Sequence, residues 1–375
     1  MNRFCEHHIL TLLSETKEVT PLDSQLRTYF RSNKAIGAKD RRIISETVYG
    51  YTRWKGLINF FSKGASLSDK ITLFSELATK DFIISDTPPP HVAVSFPKEL
   101  YQAIAKAYNE EAPSICRELN KGAPPTIRAN CLKISRDSLL KKFRDYGAEA
   151  TKHSPYGITF PKRINFFGME EFKAGLFEMQ DEGSQVLADL VAAKPGDHVL
   201  DYCAGSGGKS LAFAHKLEGK GQIYLHDVRA YALTDAKKRL KRAGIQNAQL
   251  VSTKGLKKQG MQGRMDWALL DVPCSGTGTL RRNPDMKWKL TSASVEELTQ
   301  IQREIFDKAF PLVKTHGYIV YGTCSILPDE NDEQVRYFLE NYPVALVKKP
   351  FKSLPKEGGM DGFFGAVFKK LEDRP

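Results

Sequence analysis

Apolar residues recur at three- and four-residue spacing through the first part of the chain, in ILTLLSE, LRTYFRS, DRRIISETVYGYTRWKGLINFF and ELYQAIAKAYNEE. That spacing gathers side chains on one stripe of a helix, so residues 1–110 are expected to be helical. Asp86-Thr87-Pro88-Pro89-Pro90 interrupts the pattern and reads as a rigid connection. Gly122-Ala123-Pro124-Pro125 interrupts it again and marks a boundary. TIRANCLKI then reads as a strand, SRDSLLKKFRDYGA as a helix and EATKHSPYGITF as a strand, which suits a small α+β unit between about 126 and 180.

From residue 183 the period alternates. QVLADLVAA, LAFAHKL, AYALTDAKKRLKRAG, SVEELTQIQREIFDKAFPLV and VRYFLENYP have helical spacing. DHVLDYCA, QIYLHDV, AQLVST, MDWALLDVP and GYIVYGTCS are short, nearly continuous apolar runs. Strands alternating with helices imply a mostly parallel sheet covered on both faces, which binds ligands at the carboxyl ends of its strands. The expected organisation is an all-helical domain over 1–120, a small α+β unit over 121–180, and an α/β, Rossmann-like domain over 181–375.

A length of 375 residues agrees with two or three domains. A formal net charge of +12 adds a polyanionic partner to the expectations, with a merely basic protein as the bland reading. Basic residues concentrate at Arg27, Arg31, Lys34, Lys39, Arg41, Arg42, Arg53 and Lys55. Singly each suits a solvated helix face; together they suit an RNA platform. Cys5, Cys116, Cys131, Cys203, Cys274 and Cys324 form no C-x-x-C pair, so neither a zinc ribbon nor another metal site is read from them. A chain of this size needs no disulfide framework, and MNRFCEHHILTLLSE lacks the apolar core of a secretory signal. A reducing cytoplasm, a monomer and no membrane span are therefore expected.

Three loops at strand ends carry candidate chemistry. HVLDYCAGSGGKS passes from a strand through Gly205, Gly207 and Gly208 into a helix. It is neither G-x-G-x-x-G nor a Walker loop, which argues against a dinucleotide or a triphosphate. Asp227 ends the next strand, where an acid can accept hydrogen bonds from ribose hydroxyls. That is the layout of a methyltransferase cofactor site, although a structural turn with an exposed acid would look the same. The other two loops are LLDVPCSGTGTLRRNPDMKW and GYIVYGTCSILPDEN. Each apolar strand ends in a cysteine, Cys274 after Asp271-Val272-Pro273 and Cys324 after Gly322-Thr323. One buried cysteine is usually core; two at neighbouring strand ends, in loops rich in Gly, Ser and Asp, are not typical of packing.

With DVPCSGTG and YGTCS the chain resembles the RNA 5-methylcytosine methyltransferases of the RsmB/Nop2/Sun type, over residues 120–370. The resemblance implies S-adenosylmethionine as cofactor, held by Cys203, Ala204, Gly205, Ser206, Gly207, Gly208 and Lys209, with Asp227 and Asp271 at the following strand ends. It implies Cys324 as the nucleophile, Cys274 as the group that helps release product, and Lys209 and Asp271 near the target cytosine. The helical stretch GAKDRRIISETVYGYTRW resembles the domain related to the antitermination factor NusB. Together these imply an RNA substrate, small-subunit ribosomal RNA before other RNAs.

Two positions depart from the family pattern. Ser206 stands where CAAPGGK has proline, which loosens the loop. Thr253 stands where the family has an aspartate that contacts the adenosine, and it carries no charge.

The chemistry explains the need for two thiols. Carbon 5 of cytosine is a poor nucleophile until a thiolate adds to carbon 6 and makes the ring an enamine. A second group is then useful when the carbon 5 proton and the thiol must leave. A non-enzymatic RNA-binding protein would explain the charge but not both cysteine motifs. An amino-methyltransferase would carry a D/N-P-P-Y/F type motif where DVPC stands.

Overall fold

In a computed structural model the described residues are 2–16, 20–77, 87–258 and 260–373. They fold into two units, one of 1–122 with 279–294 and one of 123–278 with 295–375.

The first unit is helical: α1 (Arg3–Ser14), α2 (Leu22–Ser32), α3 (Ala38–Phe61), α4 (Leu67–Leu77), α5 (Pro90–Ala93), α6 (Lys98–Tyr108) and α7 (Ala112–Leu119). Asn2 caps α1 by accepting from Cys5 N–H at 2.7 Å. Cys5, Ile9, Leu26, Ile44, Val48 and Ile58 come from the helical stripes and meet in one core. Of the proline run, Asp86 lies outside the described residues, while Pro89 caps α5 and Pro90 begins it. The segment 279–294 belongs here through Lys287, whose ammonium is fully buried. It donates to Arg53 O at 2.7 Å and Asn120 Oδ1 at 2.6 Å and lies over Phe96.

The basic cluster is less uniform than its sequence suggests. Arg41 donates to Ile36 O at 2.9 Å and to Phe30 O at 3.3 Å. Arg53 donates to Arg281 O at 2.9 Å. Arg41 ties α3 to α2 and to the turn between them, and Arg53 ties α3 to the turn at Arg281, so both are poor choices as phosphate ligands. Arg31, Lys34, Lys39 and Arg42 are exposed.

The second unit contains two sheets. The small one is built from β1 (Thr126–Ala129), β2 (Glu149–Ala150), β3 (Gly157–Thr159) and β4 (Phe177–Met179), in the order β2-β3-β1-β4 and antiparallel throughout. α8 (Arg136–Lys142) and α9 (Glu170–Lys173) accompany it. TIRANCLKI is a strand only as far as Ala129. Asn130 turns the chain, its amide donating to Gly175 O at 2.8 Å and Ala243 O at 2.9 Å. EATKHSPYGITF is two short strands joined by a turn, and β4 had no clear alternation to announce it.

The large sheet follows α10 (Glu182–Asp189). In chain order come β5 (His198–Asp201), α11 (Ser210–Phe213), β6 (Gln222–His226), α12 (Ala230–Ala243), β7 (Ala248–Val251), α13 (Thr253–Lys258), β8 (Met265–Asp271), α14 (Ser292–Ala309), β9 (Val313–Thr323), α15 (Asp332–Asn341), β10 (Val344–Leu346), β11 (Phe351–Lys352) and β12 (Phe364–Lys370). The strand order is β10-β12-β9-β8-β5-β6-β7, with β11 paired to β12. β9, β8, β5, β6 and β7 are parallel, and β12 runs antiparallel to β9. Side chains alternate between two cores: Leu200, Ala268, Leu270, Ile319 and Tyr321 face one, and Val199, Leu269 and Val320 the other. Hence these strands read as continuous apolar runs. No described helix is long and apolar enough to cross a membrane.

Candidate active site

The parallel strands deliver their last residues to one rim. Asp201 ends β5, Asp227 follows β6, Thr253 lies just beyond β7, Asp271 ends β8 and Cys324 follows β9. Thus Asp227, Thr253, Asp271 and Cys324 stand at the carboxyl ends of neighbouring strands, with Cys203 to Lys209 in the loop after β5 and Cys274 in the loop after β8.

The loop from Tyr202 to Lys209 is shaped by its glycines. Gly207 has φ +76, and a Cβ there would come within 3.2 Å of Ala236 Cβ and Leu225 Cδ2, so the loop packs directly on α12 and β6. Three arginines and one glutamate hold the loop from outside. Arg239 donates to Ser206 O at 2.9 Å and to Ser206 Oγ at 2.7 Å. Arg128 donates to Gly208 O at 3.1 Å and also to Gln180. Buried Glu178 accepts from Arg239 at 3.0 Å and Arg242 at 2.5 Å. The loosening expected from Ser206 is therefore countered by Arg239, which uses the hydroxyl that a proline lacks. Arg128 and Arg239 were missed in the sequence; the signal was an arginine inside the short strand TIRA, where burial requires a partner.

Asp227 accepts from Gly205 N–H at 2.7 Å and from Arg229 N–H, Nε and Nη2 at 2.8, 3.0 and 3.1 Å. Burial works against its charge, but the bonds from Arg229 and Gly205 outweigh it and hold the carboxyl below its ordinary range. These four bonds fill a carboxylate's usual acceptor positions. A ribose hydroxyl binding here must displace part of the half-exposed Arg229 side chain. Val228 beside it is 84% exposed, leaving an apolar surface at the rim.

Lys209 is nearly buried and pairs with Asp271 across the loops that follow β5 and β8. Burial opposes its charge, and the Asp271 carboxylate overrides that, with further contributions from Cys324 and Asp201, so the ammonium sits above its ordinary pKa. Beyond this pair stand the two thiols. Cys274 Sγ and Cys324 Sγ are 3.4 Å apart, and Cys324 N–H points at Cys274 Sγ, also at 3.4 Å. Both are free cysteines. The hydrogen bond with Cys324, and then burial, push the Cys274 thiol well above its ordinary range. Burial and the carboxylates of Asp201, Asp271 and Asp227 do the same to Cys203, which makes it a poor nucleophile.

Glu330, fully buried, fixes the cysteine loop: it accepts from Ser275 N–H at 2.8 Å, Ser275 Oγ at 2.5 Å and Gln302 Nε2 at 3.1 Å. Thr277 Oγ1 lies 3.0 Å from Ser325 Oγ, joining the DVPCSGTG and TCS segments directly. At Gly278 a Cβ would meet Gly362 O at 2.1 Å, so only glycine allows the chain to cross there. Glu330 was visible in ILPDEN but had no spacing that marked it.

Asp201 is buried behind this site, accepting from Ser210 Oγ at 2.7 Å, while its Oδ1 has no hydrogen-bond partner among the described residues. Burial pushes its carboxyl from 3.8 to about 7. The folded protein then keeps a proton that the unfolded chain has lost above about pH 4. This group's contribution to stability is full at acid pH and falls as pH rises through about 7. The loss amounts to at most about 4 kcal/mol. Asp201→Asn keeps an acceptor for Ser210 without the charge. It should raise the melting temperature by several degrees at about pH 8 and much less at about pH 5. An equal effect at both pH values would contradict the neutral carboxyl.

The parallel sheet with a glycine loop after β5 and an acid after β6 has the layout of a Rossmann-like, S-adenosylmethionine-dependent methyltransferase. Comparison with known proteins gives its family. A model described as 16S rRNA methyltransferase RsmB/F matches residues 188–369, and one for the ferredoxin-like domain of RsmF/B-like methyltransferases matches 96–166. Ribosomal RNA small subunit methyltransferase B of Vibrio vulnificus is 31% identical over 341 residues, 87% of this chain and 78% of that protein. A methyltransferase homolog protein from Pyrococcus horikoshii has TM-score 0.65 and 26% identity over 75% of this chain and 98% of its own. NSun6 from Pyrococcus horikoshii, solved with SFG, has TM-score 0.67 over 75% of this chain and 100% of its own; at 21% identity the likeness shows the fold. The chain belongs to the RsmB/F family of ribosomal RNA methyltransferases.

Proposed function

We propose that this protein methylates carbon 5 of a cytosine in small-subunit ribosomal RNA through a covalent adduct at Cys324. The observation that carries the reading is the pair of free thiols 3.4 Å apart at the ends of β8 and β9. Cys274 keeps its proton, because its hydrogen bond with Cys324 and its burial raise its pKa. The resemblance of the YGTCS segment assigns the attack to Cys324, with the Lys209 ammonium within electrostatic reach. Its thiolate forms a bond to carbon 6 of the cytosine, and the electron pair of the carbon 5–carbon 6 double bond becomes available at carbon 5. S-adenosylmethionine, when bound, supplies the methyl group.

Release requires the carbon 5 proton to pass to a base and the sulfur–carbon 6 bond to break, its electron pair returning to Cys324 as the double bond re-forms. Cys274 stands beside Cys324 for that exit: its proton passes to the departing Cys324 sulfur, and the thiolate left on Cys274 is the base that takes the carbon 5 proton. Lys209 and Asp271, paired at the same rim, orient one another and the cytosine. The cofactor is held by the loop from Cys203 to Lys209 with Asp227, Thr253 and Asp271. The residues fit such a ligand: a glycine loop, an acid, a hydroxyl and the exposed apolar side chain of Val228 meet at one rim.

The relative from Vibrio vulnificus is named for the small ribosomal subunit, which supports that RNA as substrate. Exposed Arg31, Lys34, Lys39 and Arg42 supply positive charge for it. The reading is tested by incubating the protein with small-subunit ribosomal RNA and S-adenosylmethionine, then digesting the RNA to nucleosides for mass spectrometry. New 5-methylcytidine is the expected product. A methyl group on a nitrogen or on ribose would overturn the assignment.

A further inference from the structure

Thr253 stands where an acid would have been expected, and what it touches changes its meaning. Its Oγ1 lies 3.0 Å from His226 Nε2, and His226 Nδ1 lies 2.7 Å from Tyr202 O. His226 is 1% exposed, so its ring nitrogens have no access to water as an alternative partner. A carbonyl oxygen can only accept, which places the proton of a neutral imidazole on Nδ1. Nε2 is then a bare acceptor, and the bond to Thr253 has to use the hydroxyl hydrogen. The direction of this chain of bonds is fixed from the Tyr202 carbonyl outward. Thr253 consequently offers only lone pairs to whatever lies beside its exposed side chain.

We propose that His226 is a positioning residue that turns Thr253 into an obligatory acceptor for the exocyclic amino group of the cofactor's adenine. A threonine hydroxyl left to rotate could donate as easily as accept, and would tell an amino group from a carbonyl poorly. With its hydrogen held by His226, it pairs with a 6-amino purine and opposes a 6-oxo purine, where two acceptors would face each other. The neutral side chain thus recovers the polarity of a carboxylate at this strand end.

The inference rests on the cofactor lying at the loops that follow β5, β6 and β7, and the experiment separates the two claims. Binding of S-adenosylhomocysteine and of its deaminated counterpart, S-inosylhomocysteine, is measured by titration calorimetry. The unaltered protein should prefer the amino ligand by about tenfold or more. Thr253→Val, at an exposed position where folding is not at risk, should weaken the amino ligand by about 5- to 10-fold and bind the oxo ligand somewhat more tightly, because the opposing acceptor is gone. Thr253→Ser should keep the preference. His226→Phe retains the hydroxyl but frees its hydrogen, and should reduce the preference to about threefold or less.

Asp227→Ala should weaken both ligands together, reporting on the site without touching the ratio. If Thr253→Val leaves the ratio as it was while Asp227→Ala weakens both ligands, the role of His226 and Thr253 is overturned and the site stands. If Asp227→Ala also changes nothing, the cofactor lies elsewhere and both claims fall.

Discussion

Cys324→Ala should abolish methyl transfer and leave no covalent enzyme–RNA adduct, whereas Cys274→Ala should stop turnover with the adduct in place. The contrast comes from order. A group needed for the first bond leaves nothing behind when it is removed, and a group needed for the exit leaves the intermediate behind. The loss of turnover in Cys274→Ala should be about 10²- to 10⁴-fold, the usual worth of a positioned proton-transfer group. Denaturing gel electrophoresis with labelled RNA reads the adduct directly. Two thiols that merely fill space would give lowered stability in both variants and an adduct in neither. An adduct in Cys324→Ala alone would exchange the two roles.

Asp271→Asn should impair the protein in two separable ways. It leaves the nearly buried Lys209 ammonium without its counter-charge, and breaking a buried pair from one side costs about 3–5 kcal/mol. Asp271 is 30% exposed, so about half of that is a fair expectation for urea denaturation. Methyl transfer should fall as well, by about 10²-fold or more, because the cation beside Cys324 loses its fixed position. Lys209→Met combined with Asp271→Asn removes both charges and should recover most of the stability, since neither is left unpaired. Activity should not return with it. Recovery of both would mean that the pair is purely structural.

Much of this site could be read from the chain because its determinants are local. The inner strands β5, β6, β8 and β9 announce themselves as apolar runs, since both faces are covered where they pair, and a residue that ends such a run stands at the rim. Cys324 and Asp227 could be assigned to the rim in this way, and Cys274 follows three residues beyond the end of β8. What was not legible depends on contacts distant in sequence. β12 ends the chain in DGFFGAVFKKL, where two glycines and a mixed pattern conceal a strand; its identity comes from pairing with β9, as in Val367 opposite Val320. Arg128 and Arg239 hold Gly208 and Ser206 although they lie on β1 and α12. Glu330 fixes Ser275 from 55 residues away. His226 looked like one more residue of a strand until its two nitrogens were seen to join Tyr202 to Thr253.

The basic cluster erred in the other direction. Composition treats Arg41 and Arg53 as surface charge, yet both are committed to carbonyl oxygens within the helical unit.

The central claim, covalent attack by Cys324 on a cytosine, is tested most directly with RNA carrying 5-fluorocytosine at the target. Fluorine at carbon 5 cannot leave as a proton does, so an adduct that reaches this stage is held there. After incubation with S-adenosylmethionine, nuclease and protease digestion should yield one peptide containing Cys324 that carries a methylated fluoropyrimidine nucleotide. The same label on the Cys274 peptide, or no labelled peptide from a preparation that methylates ordinary RNA, would contradict it.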